Sequence, residues 1–314
     1  MPVSLDLHPR LWIWHLVACL VHFVSFLLLT VAIPPFNDFP GAVGPVRYAY
    51  TNATNTTTAT TSYVYSSWID STPLSGVQAN EFITFLSHGI GTYVAWTIKN
   101  ARPVEIRRRW FEYAITAGVL ECSLLFVFGV RSFFTFLLVF CLNAALQLTG
   151  GLSLDQIRMH TSADFYFLQK ITLLAQSFVF VVVQIAFTIT TAAVAEGVAN
   201  SIALSVFYAI FYLSFGVLQT LSHTVQDFDD TFDTDVGFVV LSVTSKLCLS
   251  WHVVSVMKNI EYELSAATNV GEQADALHTA VVILYVLSAA SVALYFVWPC
   301  LFPQPSKYSD IGEL

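Results

Sequence analysis

Residues 239–251 read Val239-Val-Leu-Ser-Val-Thr-Ser-Lys246-Leu-Cys-Leu-Ser-Trp251, inside the apolar run 236–257. Within that run Lys246 is the only Asp, Glu, Lys or Arg. A bilayer core takes about 20 apolar residues to cross as a helix. An ionisable side chain in the middle of such a span is costly and therefore a functional candidate. Lys246 decides how the rest of the chain is read.

The chain has 314 residues, 56% hydrophobic and only 11% charged. Soluble domains carry roughly 25% charged residues. The predicted solvent is thus the lipid bilayer, and the predicted class is an all-α membrane protein. The net charge of −8 argues against nucleic acid, whose phosphates call for a basic face. Eight segments are long and apolar enough to span: 11–33, 82–98, 110–130, 132–152, 171–195, 197–222, 236–257 and 279–302. The first is too long for a cleaved signal peptide and is read as a retained helix. Cys19, Cys122, Cys141, Cys248 and Cys300 all fall in apolar segments without CxxC spacing. They are read as small buried hydrophobes rather than disulfides or metal ligands, and no metal site is expected.

Basic residues set the predicted orientation. Lys99, Arg102, Arg107, Arg108 and Arg109 cluster between the second and third spans. Placing them in the cytoplasm puts the N-terminus there too, and eight spans return the C-terminus to the same side. The loop 34–81 then faces outward. It carries the glycosylation sequons at Asn52 and Asn55, and its alternating Tyr48/Tyr50 and Tyr63/Tyr65 predict a β-hairpin. Between the sixth and seventh spans, five aspartates lie within 227–235. A solvated turn explains them, with a cation or basic-partner site as the alternative; the spacing is not that of an EF-hand.

Depth along each helix sorts the other ionisable groups. At about 1.5 Å per residue, Lys246 lies roughly 16 Å deep, Glu112 roughly 14 Å, His22 roughly 15 Å and His88 roughly 18 Å. Four groups on four helices therefore share one layer. Glu112 is the predicted carboxylate partner of Lys246, with Ser242, Ser250 and Thr116 one turn away from one or the other. Glu121, nine residues after Glu112, faces the opposite side of its helix and is expected to bridge elsewhere. A buried lysine can lose its proton, pair with a carboxylate, or form a Schiff base with a carbonyl compound. A purely structural Lys–Glu salt bridge, and satisfied core histidines at His22, His88, His15 and His252, are the plainer alternatives.

The Arg109-Trp-Phe-Glu112-Tyr113 and Leu241-Ser242-x-x-x-Lys246 patterns, with Phe140-Cys-Leu-Asn143-Ala, Ser214-Phe215 and Gln219, resemble the heliorhodopsins. The resemblance covers roughly residues 10–258 and extends to algal or algal-virus members. It implies a seven-helix rhodopsin-like bundle with a cytoplasmic N-terminus, an outer hairpin after the first helix and a homodimer. It implies all-trans retinal on Lys246 as a protonated Schiff base, with Glu112 as counterion and Ser242 where other microbial rhodopsins hold a second carboxylate. Asn143 and Thr116 would lie near the chromophore, His22 and His88 in a polar cluster tied to the Schiff-base proton, and Arg109 close to the counterion, with Arg107 or Arg108 able to take its place in a shifted register. Two departures stand out. Thr116, Ala117 and Gly118 replace a serine run, and the chain continues into an eighth apolar segment, 279–302. The domains are thus 1–258, retinal-binding, and 259–314, an extension.

Three functions follow. The first is a light sensor. The second is light-activated proton transport, associated with members from algal viruses and favoured by Glu121 and by Glu196 as an outer proton port. The third is a transporter with a Lys–Glu relay and no retinal. No nucleophile–base pair or phosphate loop suggests an enzyme, and any signalling partner is left unnamed by the sequence.

Overall fold

The computed structural model describes residues 10–33, 42–43, 48–49, 62–63, 67–69, 73–130, 132–156, 163–194, 201–225, 228, 232–265 and 268–301. The predicted ports and sequons at Glu196, Asn52 and Asn55 lie outside them. The helices are α1 (Leu11–Val31), α2 (Pro73–Thr97), α3 (Arg102–Val127), α4 (Phe133–Leu146), α5 (Ala163–Val194), α6 (Ser201–Thr224), α7 (Thr234–Ser265) and α8 (Thr268–Leu301). The chain is an all-α membrane protein: seven of the described helices are long and apolar enough to cross a bilayer. The exception is α2, and the reason is chemical. Its inward stripe is Asn80, Glu81, Thr84, Ser87, His88 and Gly91, and these buried polar residues lower its hydropathy.

Helices α1 to α7 pack in sequence and α7 returns to α1, closing a ring. Within it, α3 and α7 are the inner helices, 72% and 78% buried over their apolar windows. Elsewhere, large apolar side chains such as Leu20, Leu138 and Phe178 are exposed, as a lipid-facing surface requires. Cys141 is exposed with them and Cys19 and Cys122 are half-buried; only Cys248 of the four is a buried hydrophobe.

The α2–α3 connection turns on Asn100 at φ 55°, and α3 ends at Gly129 at φ 88°. Asparagine and glycine are the residues that tolerate this left-handed backbone. The Asp233 carboxylate accepts from Val236 N at 3.1 Å and caps the start of α7. At the opposite end of the bundle the predicted hairpin is present as two nested antiparallel pairs, β1 (Ala42–Val43) with β4 (Ser67–Ile69) and β2 (Tyr48–Ala49) with β3 (Ser62–Tyr63). Tyr48 is paired with Tyr63. The two ends are called here the basic end, at the α2–α3 turn, and the hairpin end.

Several predicted boundaries move. Helix α2 starts at Pro73 rather than 82, so Glu81, read as loop, is inside the bundle. Helix α3 starts at Arg102, ahead of the apolar span at 110 and next to Pro103, from which the depth of Glu112 is counted, and α7 runs on to Ser265. Helix ends in water continue as polar turns, which an apolar-run criterion cuts off. The eighth helix packs along α7 outside the ring. Tyr285 stacks on Phe207 at 3.9 Å and is hydrogen-bonded to His252 Nδ1 at 2.7 Å. Ser288 Oγ lies 2.9 Å from Cys248 Sγ.

Candidate functional site

Lys246 is buried on α7, and its Nζ donates to Glu112 Oε1 and to Thr84 Oγ1, the latter at 3.0 Å. The ammonium also lies 5.0 Å from the centre of the Tyr113 ring, a cation–π contact. The second oxygen of Glu112 accepts from Ser87 Oγ at 2.7 Å and from Arg108 Nη1 at 3.0 Å. Arg108 reaches back one turn and grips Glu105 with two donors, at 2.5 and 2.7 Å. Two cations and two carboxylates are thereby interleaved, so no charge in the group is buried alone.

Histidines extend this cluster across α1 and α2. His15 Nε2 is 3.2 Å from Glu105 Oε1, and His15 Nδ1 is 2.9 Å from His88 Nδ1. The His88 and His22 rings stack with centroids 5.8 Å apart. His22 Nδ1 bonds Glu81 Oε2 at 2.7 Å, while Glu81 Oε1 accepts from Ser250 Oγ at 2.7 Å. His22, His88, Glu112 and Lys246 therefore do share one layer. The structure adds His15, Glu81 and Glu105 to it, and of the arginines weighed it is Arg108, the alternative to Arg109, that lies beside Glu112. A sequence signal for Glu105 and Arg108 exists: Glu105, Arg108 and Glu112 are spaced i, i+3 and i+7, one face of a helix.

Arg109 is not part of this group. It points into a separate network at the basic end, donating to Asp235 at 2.8 Å and Asp155 at 3.4 Å and lying 4.2 Å over Phe238. Asp155 also accepts from Trp110 Nε1 at 2.7 Å and Gln219 Nε2 at 3.0 Å, and meets His223 Nε2 at 2.8 Å. One residue along a helix is a turn of about 100°, which separates the two arginines. Asp235 is accordingly an ion-pair partner and not part of a solvated turn. A π-helical segment, Gln147–Ser153, carries Asp155 to this position. Within it Gly151 abuts the Trp110 ring so closely that a Cβ would overlap it.

Beside Lys246 a cavity of about 390 Å³ opens between α3, α5 and α6. That is a size typical of small-molecule sites. Its walls include Trp110, Tyr113, Thr116, Leu120, Phe178, Tyr208, Phe211, Tyr212 and Phe215. Thr116 lines it and spends its hydroxyl on the Glu112 backbone carbonyl at 2.9 Å. Ser242, one turn before Lys246, is fully buried. Asn143 is not on the wall; it bonds Glu121 at 2.9 Å behind it.

An amine at the end of an aromatic cavity, on the last helix of a seven-helix ring, is matched by a family model for heliorhodopsins over residues 11–257. The chain belongs to the heliorhodopsin family. No curated protein matches it. Heliorhodopsins are light-sensing, retinal-binding membrane proteins. The match covers well over half of this heliorhodopsin and stops at residue 257, before α8. A mostly apolar, aromatic-lined cavity with a lysine in its wall has the chemistry retinal needs, so the residues present fit the group.

Proposed function

We propose that this heliorhodopsin senses light through all-trans retinal held on Lys246 as a protonated Schiff base, with Glu112 as its counterion. The observation that carries this reading is the Lys246–Glu112 pair at the end of the aromatic cavity. When bound, retinal supplies the absorption of visible light and the isomerisation that follows. The chain supplies the rest. Glu112 balances the positive nitrogen, and Ser87 and Arg108 fix the carboxylate in place. Ser242 leaves Glu112 as the carboxylate touching Lys246. Tyr113 and Phe215, in edge-to-face contact at 5.2 Å, shape the wall and exclude water. Thr116 adds a wall residue, and Asn143 acts through Glu121. The basic α2–α3 turn supports cytoplasmic N- and C-termini, and the family resemblance supports a homodimer.

The test is addition of all-trans retinal to membranes holding the expressed chain. A visible band is expected; its absence sinks the reading. A second reading, light-driven proton transfer, is favoured by the buried His88–His15–Glu105 contacts beside the pair. Protons can pass between imidazole nitrogens and carboxylates at such distances. Patch-clamp recording under illumination separates the two: a photocurrent that follows the proton gradient supports transfer, and silence at every voltage removes it.

The two arginines give a further expectation. Arg108→Gln withdraws a cation from Glu112 and is expected to move the absorption band. Arg109→Gln is expected to leave the band nearly in place and lower the melting temperature, because it removes the cation that Asp155 and Asp235 share and leaves them only His223 and Arg102. The reverse outcome would restore Arg109 to the counterion.

A further inference from the structure

Among the described residues, buried carboxylates have basic partners almost throughout. Glu112 has Lys246 and Arg108, Glu105 has Arg108 and His15, and Glu81 has His22. Asp155 has Arg109 and His223, and Asp235 has Arg109 and Arg102. Glu121 is the exception. It is fully buried in the hairpin half of α3, and only uncharged groups surround it.

The geometry of that cage is closed. Glu121 Oε2 accepts from Asn143 Nδ2 of α4 at 2.9 Å and from Gln184 Nε2 of α5 at 3.1 Å. The two amide oxygens in turn accept from one hydroxyl, Tyr212 of α6, at 3.2 and 2.5 Å. Glu121 Oε1 lies 3.1 Å from Thr188 Oγ1 of α5. Tyr208 of α6 and Cys122 of α3 are its remaining ionisable neighbours, both uncharged at neutral pH. A carbonyl oxygen has two lone pairs, and both are used at Oε2; at Oε1 the Thr188 hydroxyl donates to a carboxylate and can turn to accept from a carboxylic acid. A carboxylate buried here would have neutral donors to offset part of its desolvation cost and, among the described residues, no cation to offset the rest.

We propose that Glu121 is a second proton-binding site: in the resting protein it is a neutral carboxylic acid, and it keeps the far wall of the cavity, behind Tyr208 and Tyr212, free of charge. The carboxylates that stay charged next to the cavity lining, Glu112 and Asp155, then each have a cation in contact. The protonation follows from the cage alone; only its spectral consequence rests on the retinal reading.

Glu121→Gln tests it, since glutamine reproduces every hydrogen bond of the neutral acid. Infrared spectra of the retinal-free full chain, parent minus variant, are expected to lose a carboxylic-acid C=O stretch that shifts down in D2O. Loss of carboxylate stretches instead would overturn the proposal. With retinal added, the variant is expected to keep the parent's band position and melting temperature. A band shift as large as that of Glu112→Gln, or failure of the variant to accumulate, would also overturn it, because a neutral isostere changes neither charge nor bonding. A parent chain without a visible band would instead count against the retinal reading and leave the infrared result to decide on Glu121.

Discussion

Lys246→Ala, expressed with all-trans retinal, is expected to show no visible band at all. Forming the Schiff base takes a primary amine within reach of the cavity, and Lys246 is the lysine among the residues that line it. Alanine leaves nothing to react, so the loss should be complete rather than graded. The fold should survive. Glu112 keeps Arg108 at 3.0 Å and Ser87 at 2.7 Å, so removal of the lysine does not leave its carboxylate without a cation. Circular dichroism of the variant checks that point. Adding retinal already joined to a short alkylamine should restore a band in the vacated space. A visible band in Lys246→Ala without that addition would mean the chromophore is held elsewhere.

Glu112→Gln is expected to have the next largest effect. The substitution keeps size, replaces one acceptor oxygen with an NH2 donor and removes one negative charge. Lys246 then loses the carboxylate in contact with it, since Glu105 bonds Arg108 and His15 instead. Breaking a buried ion pair costs about 3–5 kcal/mol. At about 1.4 kcal/mol per pH unit, the protonated, visible form should give way to an ultraviolet-absorbing one roughly two to four pH units lower than in the parent. The protonated form that remains at low pH should absorb further to the red, since the counterion no longer holds positive charge at the nitrogen in the ground state. Titration of the absorption spectrum reads both effects. A variant with the parent's band and titration would remove Glu112 from the counterion role.

Much of the layer around Lys246 is legible because helix rise converts residue number into depth. Lys246, Glu112, His22 and His88 fall together on that ruler and meet in the structure. Rotation about the helix axis is harder to read. Arg109 and Arg108 differ little in depth, yet Arg108 shares the Glu112 face through its i, i+4 spacing. Glu81 is hidden for another reason. Apolar runs mark helices that face lipid, whereas α2 turns a polar stripe inward, so its first two turns resemble loop. Glu105 is overlooked in the same way, within the basic stretch that opens α3.

Sequence by itself determined that the chain lives in a bilayer, that Lys246 is its anomalous charge, and that Glu112 is the carboxylate at its depth. Composition and one-dimensional spacing suffice for these, because solvent and helix rise act locally along the chain. Only the tertiary structure decided which groups share a charge network. It set Arg108 on Glu112, sent Arg109 to Asp155 and Asp235, and enclosed Glu121 among neutral amides and hydroxyls. Those outcomes depend on which faces of non-adjacent helices meet, and a buried charge is settled by what lies within a few ångströms of it from every side.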